Sequence, residues 1–159
     1  MIMNASSTSQ PGERPAWVKP RSRRGPDFDE LDRYQCHLVL AAEAVGRVGW
    51  ASSSGQIIVP VNYVFLDSSI GFRTSSDSVL AELIRPTPVA FEVDHLDPQH
   101  LTAESVIIQG MSHLGAFDES SMPEWSNLVV PWAGGERRVS IEIDVQEISG
   151  RGISRTSTR

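Results

Sequence analysis

Apolar and polar residues alternate along most of the chain with the period of two that is typical of strands with one buried face. The clearest example is the segment 139–146, in which four aliphatic residues alternate with polar ones. A strand is also expected from Gly46, and the same pattern predicts strands over 57–65, 70–75, 89–94 and 104–117. Pro60 has no N–H group to donate to a neighbouring strand, so we expect an edge or a bulge there.

Helical spacing is confined to short segments. Asp27 and Glu30 have the spacing of a capping box, and the apolar residues that follow predict a helix over about 28–43. Two shorter helices are predicted over 77–85, which ends at Pro86, and over 121–130. Six strands with two or three short helices, without strict strand–helix alternation, favour a mainly β fold built as an antiparallel barrel over a doubly wound sheet.

The chain of 159 residues fits one domain, which we place at residues 27–150. Residues 1–26 are polar, contain four prolines and lack hydrophobic periodicity, which predicts a disordered N-terminal tail. Residues 151–159 are predicted to form a second disordered tail, which is basic. The net charge is −6, and because residues 1–27 and 151–159 each contribute +3, residues 28–150 carry −12. Such an acidic body disfavours nucleic-acid binding.

Several other classes of protein are disfavoured by what the sequence contains. The single cysteine, Cys36, excludes an internal disulfide, and the four histidines do not have the spacings of zinc ligands, so no metal site is expected. Neither a long apolar run nor an apolar export signal is visible, which predicts a cytoplasmic protein that does not enter the membrane.

Candidate chemistry is concentrated just before the helix predicted at 77–85. The strand there delivers Arg73, followed by Thr74, Ser75 and Ser76, to the start of that helix. Alternation places Arg73 on the face opposite the apolar residues of its strand. The first N–H groups of a helix lack intrahelical partners, so an arginine and hydroxyls at this point favour an anion such as a phosphate.

Five segments in this order resemble the FMN-binding split barrels related to pyridoxamine 5'-phosphate oxidase. They are VGRVGWAS, IIVPVNYVFLDSSIGFRTS, LAELIRPTPVAFEVDHLD, SVIIQGMSHL and PWAGGERRVSIEI, and the resemblance covers about residues 28–150. The resemblance implies a six-stranded antiparallel Greek-key split barrel. It also implies a homodimer with two equivalent flavin sites at the dimer interface.

The resemblance also assigns candidate residues for the cofactor. Arg73, Thr74, Ser75 and Ser78 match the segment that holds the FMN phosphate in similar proteins. Three neighbours, Val61, Asn62 and Tyr63, match the segment that runs along the flavin ring, largely through backbone contacts. Gln109 lies on a strand that commonly sends a polar side chain to the cofactor, and Trp132 matches a segment that approaches the site of the other subunit.

The sequence departs from the family pattern at the phosphate segment. Many relatives have a lysine where this chain has Val79, and Asp77 adds a carboxylate nearby. The resemblance implies an FMN-dependent oxidoreductase, in which the cofactor carries the electrons and no acid–base side chain is required. A deazaflavin-dependent reductase on the same fold and a non-catalytic binding protein with a weakened cofactor pocket remain alternatives, and the substrate stays unassigned.

Overall fold

The computed structural model describes residues 27–66, 68–116 and 137–154. Within these ranges the chain forms one α-helix, α1 (Arg33–Ala42), and one 3-10 helix (Val79–Ile84). The strands are β1 (Asp27–Leu31), β2 (Val45–Ser52), β3 (Gly55–Leu66), β4 (Ser69–Thr74), β5 (Thr87–Asp97), β6 (Thr102–Leu114) and β7 (Val139–Ser154).

Six of these strands close into a ring in the order β7-β4-β3-β2-β5-β6, and the pairing of β6 with β7 completes it. All the strand pairs are antiparallel. The predicted antiparallel barrel is therefore confirmed. The first strand lies outside the ring, because it pairs only with the end of β7, Gly150–Ser154, beyond the part of β7 that pairs with β4.

The core fills the inside of this ring. The largest fully buried side chains are Tyr63, Phe72, Phe91, Leu40, Ile70, Leu83, Ile108, Ile141 and Ile143. One face of α1 adds Cys36, Val39 and Leu40 to the same cluster. Strand residues of the opposite parity point outward, among them the polar candidates Asn62, Arg73 and Gln109.

The start of α1 differs from the prediction. Residues Asp27–Leu31 form β1 instead of the first helical turn, since they pair with the end of β7. The true N-cap is Asp32, whose carboxylate accepts from the Gln35 N–H at 2.8 Å while the Gln35 side chain accepts from the Asp32 N–H at 2.8 Å. The capping box predicted at Asp27 and Glu30 was therefore wrong. The same pairing extends β7 to Ser154, past the domain boundary predicted at residue 150.

Two other expectations find structural counterparts. The short helix predicted over 77–85 is the 3-10 helix Val79–Ile84. Pro60 lies in the part of β3 that pairs with β2 alone, because pairing with β4 begins at Tyr63, so the predicted edge is confirmed. The tail 1–26 and the helix predicted over 121–130 lie outside the described residues. In the described part of the chain, no helix has both the length and the apolarity to cross a membrane.

Candidate functional site

Arg73 lies on the outer face of β4. Its neighbours Phe72 and Thr74 are buried on the inner face, whereas Arg73 is half-buried on the other side of the strand. Its Nε atom is nevertheless screened from solvent. Surrounding residues therefore cover this part of the guanidinium group. The side chain lies on the outside of the barrel, as the alternation along this strand predicted.

Strand register places two polar residues beside Arg73. Ser140 of β7 is its direct partner. The pairing of β3 with β4 ends at Tyr63 and Phe72, so Asn62 and Arg73 are the first residues of the two strands beyond it, and both lie on the outer face. We call Asn62, Arg73 and Ser140 the Arg73 row. All three side chains are half-buried, and together they offer a guanidinium, an amide and a hydroxyl to a ligand on this face.

The row adjoins an open strand edge. From Gly55 to Asn62, β3 pairs with β2 alone, so among the described strands no neighbour covers its second edge. The side chains of Val61 and Tyr63 point into the core, and the Tyr63 hydroxyl donates to the Leu40 carbonyl at 2.7 Å. Because of this, only the backbone of these two residues is available to a ligand, and their contact with a cofactor stays a prediction.

The turn after β4 is arranged differently from the predicted helix N-terminus. Thr74 is buried, and the Ser78 hydroxyl accepts from the Leu80 N–H at 3.2 Å, which makes Ser78 the N-cap of the 3-10 helix. A hydrogen bond from Ser75 and one from its own backbone N–H lower the pKa of Asp77 below its ordinary value. The hydroxyl of Ser78 is therefore already engaged, and Arg73 supplies the positive charge of this site.

Gln109 does not join the Arg73 row within one chain. It is exposed on the outer face of β6 and is paired with Ala90 on one side and Glu147 on the other. Glu147 and Ser140 are seven residues apart along β7, which is roughly 23 Å at 3.3 Å per residue. Trp132 lies outside the described residues.

Acidic groups flank the row on β7. Glu142, two residues beyond Ser140, accepts from the Ser69 hydroxyl at 2.6 Å. His113 Nε2 lies 3.3 Å from Asp144 Oδ2, and the Leu114 carbonyl and this carboxylate raise the pKa of His113 above its ordinary value.

Among the residues that the structure describes, no group of three or more His, Cys, Asp and Glu side chains is arranged to hold a metal ion.

Comparison with known families decides the assignment of the fold. The model of the family described as pyridoxamine 5'-phosphate oxidase matches residues 32–152, which is most of the chain. The chain belongs to the pyridoxamine 5'-phosphate oxidase family. This membership confirms the resemblance found in the sequence.

Individual proteins resemble this chain in sequence or in fold. An uncharacterised protein of Mycobacterium tuberculosis is 28% identical over 145 residues, which cover 88% of this chain and 92% of the relative. Among solved structures, a FAD-binding protein from Mesorhizobium loti is 22% identical with a TM-score of 0.65, covering 82% of this chain and 100% of the other. A FAD-binding protein from Mycobacterium smegmatis is 20% identical with a TM-score of 0.61, covering 80% and 99% of the two chains. These structural likenesses show a shared fold.

Membership in the pyridoxamine 5'-phosphate oxidase family leaves the individual site residues as predictions. Of the nine candidates, the structure brings Asn62 and Arg73 together on one outer face and adds Ser140, which the sequence reasoning missed. Alternation along 139–146 already indicated that Ser140 faces away from the core. Only the pairing of β7 with β4 identifies it as a neighbour of Arg73.

Proposed function

We propose that this protein is a flavin-binding oxidoreductase in which Arg73 holds a phosphate of the cofactor. The observation that carries the proposal is the position of the Arg73 row beside the open edge of β3. An arginine held in place on a strand is well suited to phosphate, because its planar guanidinium offers several donors in a fixed geometry.

The donors and acceptors present fit the chemistry of a flavin. The open edge of β3 has backbone groups that can pair with the polar rim of a flat heteroaromatic ring, as an added strand would. Asn62 and Ser140 add side-chain donors and acceptors on the same face. When bound, the flavin would supply the electron or hydride transfer, and the protein would bind and orient it and exclude water from its face.

The comparisons support a flavin and leave its form to be tested. Two proteins of similar fold are FAD-binding proteins by name. FMN is the form that the sequence resemblance implies. A deazaflavin is the second candidate, because Val79 stands where many relatives have a phosphate-binding lysine and Asp77 adds a negative charge beside it.

We further propose that the protein is a homodimer. The register aligns Ile58, Gly49, Ala90 and Gln109 across β3, β2, β5 and β6 on one outer face. On this face Ile58 is 72% exposed and lies in one row with Gly49 and Ala90, and Ile107 is 45% exposed and lies in the next row with Glu92 and Arg47. Exposed apolar surface that is rimmed by polar residues is typical of protein interfaces. A second copy on this face would add groups that one chain cannot bring to its own Arg73 row, such as Gln109.

The experiment that tests the proposed function is a cofactor titration. The purified protein is examined for the visible absorption of a bound flavin, and the apoprotein is titrated with FMN and with a deazaflavin. In Arg73→Ala we expect the affinity for the bound cofactor to fall by about ten- to a hundredfold, since a charge-assisted hydrogen bond contributes about 1.5–3 kcal/mol. Arg33→Ala, which removes an exposed arginine from α1, is the matched control and should bind normally.

The outcomes separate the candidates. Binding of the deazaflavin alone would replace FMN with that cofactor while keeping the role of Arg73. Binding of neither would refute an oxidoreductase of either type and leave a non-catalytic binding protein. Equal affinity in Arg73→Ala and the parent would remove Arg73 from the site.

A further inference from the structure

A groove of about 900 Å³ lies beside Ser78, between the β2–β3 turn, the 3-10 helix and the first residues of β5. This volume is within the range of small-molecule sites. Its lining includes the polar residues Ser52, Ser53, Asp77, Ser78, Glu82, Arg85 and Thr87. Arg73 is not part of the lining, so the groove is a space next to the Arg73 row and not the same site.

One carboxylate in the lining of the groove has a defined position. Trp50 is only 4% exposed, and its indole Nε1 donates to Glu82 Oε2 at 3.2 Å. Glu82 is an exposed residue. A carboxylate can accept about four hydrogen bonds. Glu82 thus retains the capacity to accept hydrogen bonds from hydroxyl groups of a ligand.

The charge of the lining argues against a free phosphate here. Asp77 and Glu82 contribute two negative charges against the one positive charge of Arg85. A phosphate monoester carries about 1.5 to 2 negative charges near pH 7 and would be repelled. A ribose is neutral, and carboxylates that accept from ribose hydroxyls are a recurring feature of dinucleotide sites. Val79, which is 43% exposed, and Pro86 offer apolar surface to a flat base.

The groove is close to the proposed phosphate position. The turn between Arg73 and Ser78 is compact, since the Ser78 N–H donates to the Ser75 carbonyl at 3.2 Å. Five residues span at most about 18 Å even when fully extended. A ligand with a phosphate at Arg73 can therefore extend into the groove.

We propose that the groove is a nucleoside subsite that takes the adenosine half of FAD, while the flavin and its diphosphate lie at the Arg73 row. The inference rests on the proposed flavin function and names the cofactor more closely. The adenosine half of FAD is neutral, so it suits a groove whose lining carries two carboxylates and one arginine. Val79 would contribute exposed apolar surface to the adenine in this arrangement.

The test compares two flavins on the full chain. The apoprotein is titrated with FAD and FMN, and flavin fluorescence reports binding. We expect FAD to bind about tenfold more tightly or better, which corresponds to about 1.4 kcal/mol. Ser53→Trp places a bulky side chain in the groove and should remove this advantage while leaving FMN binding unchanged. Ser54→Trp, the next residue of the same turn, does not line the groove and is the matched control.

A second variant tests the chemistry without adding bulk. In Glu82→Gln the amide oxygen can still accept from Trp50, but the charge is lost, so the affinity for FAD should fall and that for FMN should not. Equal binding of FAD and FMN, or equal effects of Ser53→Trp on both, would overturn the nucleoside subsite while the flavin function stands. Failure of every flavin to bind would overturn both.

Discussion

Tyr63 provides a sharp test, because the sequence offered it as a cofactor residue and the structure gives it a different role. Its side chain is 1% exposed, and its hydroxyl donates to the Leu40 carbonyl at 2.7 Å. Leu40 is in the last turn of α1, where carbonyls lack an intrahelical donor. Burial raises the pKa of Tyr63, so the hydroxyl keeps its proton at ordinary pH.

Tyr63→Phe removes only this hydroxyl. The ring remains, with its edge-to-face contact to Phe91 at 5.0 Å between ring centroids. A buried carbonyl left without its donor costs about 1–3 kcal/mol, so the free energy of unfolding should fall by that amount. The melting temperature should then fall by about 4 °C for each kcal/mol in a domain of this size.

The assay is urea and thermal unfolding followed by circular dichroism, together with a flavin titration on the folded variant. Tyr34→Phe, in which the ring is 70% exposed on α1, is the control and should not change stability. The backbone of residue 63 is unaltered, so flavin affinity should be unchanged. Parent-like stability, or a loss of flavin affinity in the folded variant, would refute the assignment of the Tyr63 side chain to the core alone.

Two further predictions concern the outer face and the end of α1. Ile58→Asp should shift the protein towards a monomer in sedimentation, whereas Leu38→Asp, also at an exposed apolar position, should not; a parent-like mass for Ile58→Asp would contradict the proposed interface. A 2.6 Å hydrogen bond with Glu43 raises the pKa of His95 in the folded state. The pair therefore stabilises the fold below about pH 6.5, the pKa of an unfolded histidine, and this contribution is lost as the pH rises through the pKa of His95 in the folded state. The pair is partly exposed and worth less than about 1 kcal/mol, so His95→Gln should slightly flatten the dependence of the urea midpoint on pH, and an unchanged dependence would exclude His95 as its source.

The strands could be predicted from the sequence because a barrel with one buried face imposes a period of two on its residues. β7 shows this directly, with Ile141 and Ile143 buried and Glu142 and Asp144 on the outer face. The outward position of Arg73 follows from the same rule. These are local consequences of burial, and no knowledge of distant partners is needed to derive them.

The first strand could not be predicted in this way, because its partner lies far along the chain. Asp27 and Glu30 satisfy the spacing of a capping box as well as Asp32 and Gln35 do. What decides between them is the pairing with Gly150–Ser154. That pairing needs glycine at Gly150, where an added Cβ would lie 2.7 Å from the Cys36 sulfur. The local pattern contains no sign of this requirement.

In the candidate site, too, some neighbours follow from the local sequence and others depend on pairing between distant segments. The short turn between β3 and β4 pairs Leu66 with Ser69 and thereby sets Asn62 beside Arg73, whereas Ser140 comes from β7 and depends on closure of the ring. Ser78 illustrates a different difficulty, since a residue that caps a helix and one that binds an anion have the same sequence signature. In the structure the cap takes the Ser78 hydroxyl. Arg73 would then be the residue that neutralises a bound phosphate, so this one residue should determine the affinity for a phosphate-bearing cofactor.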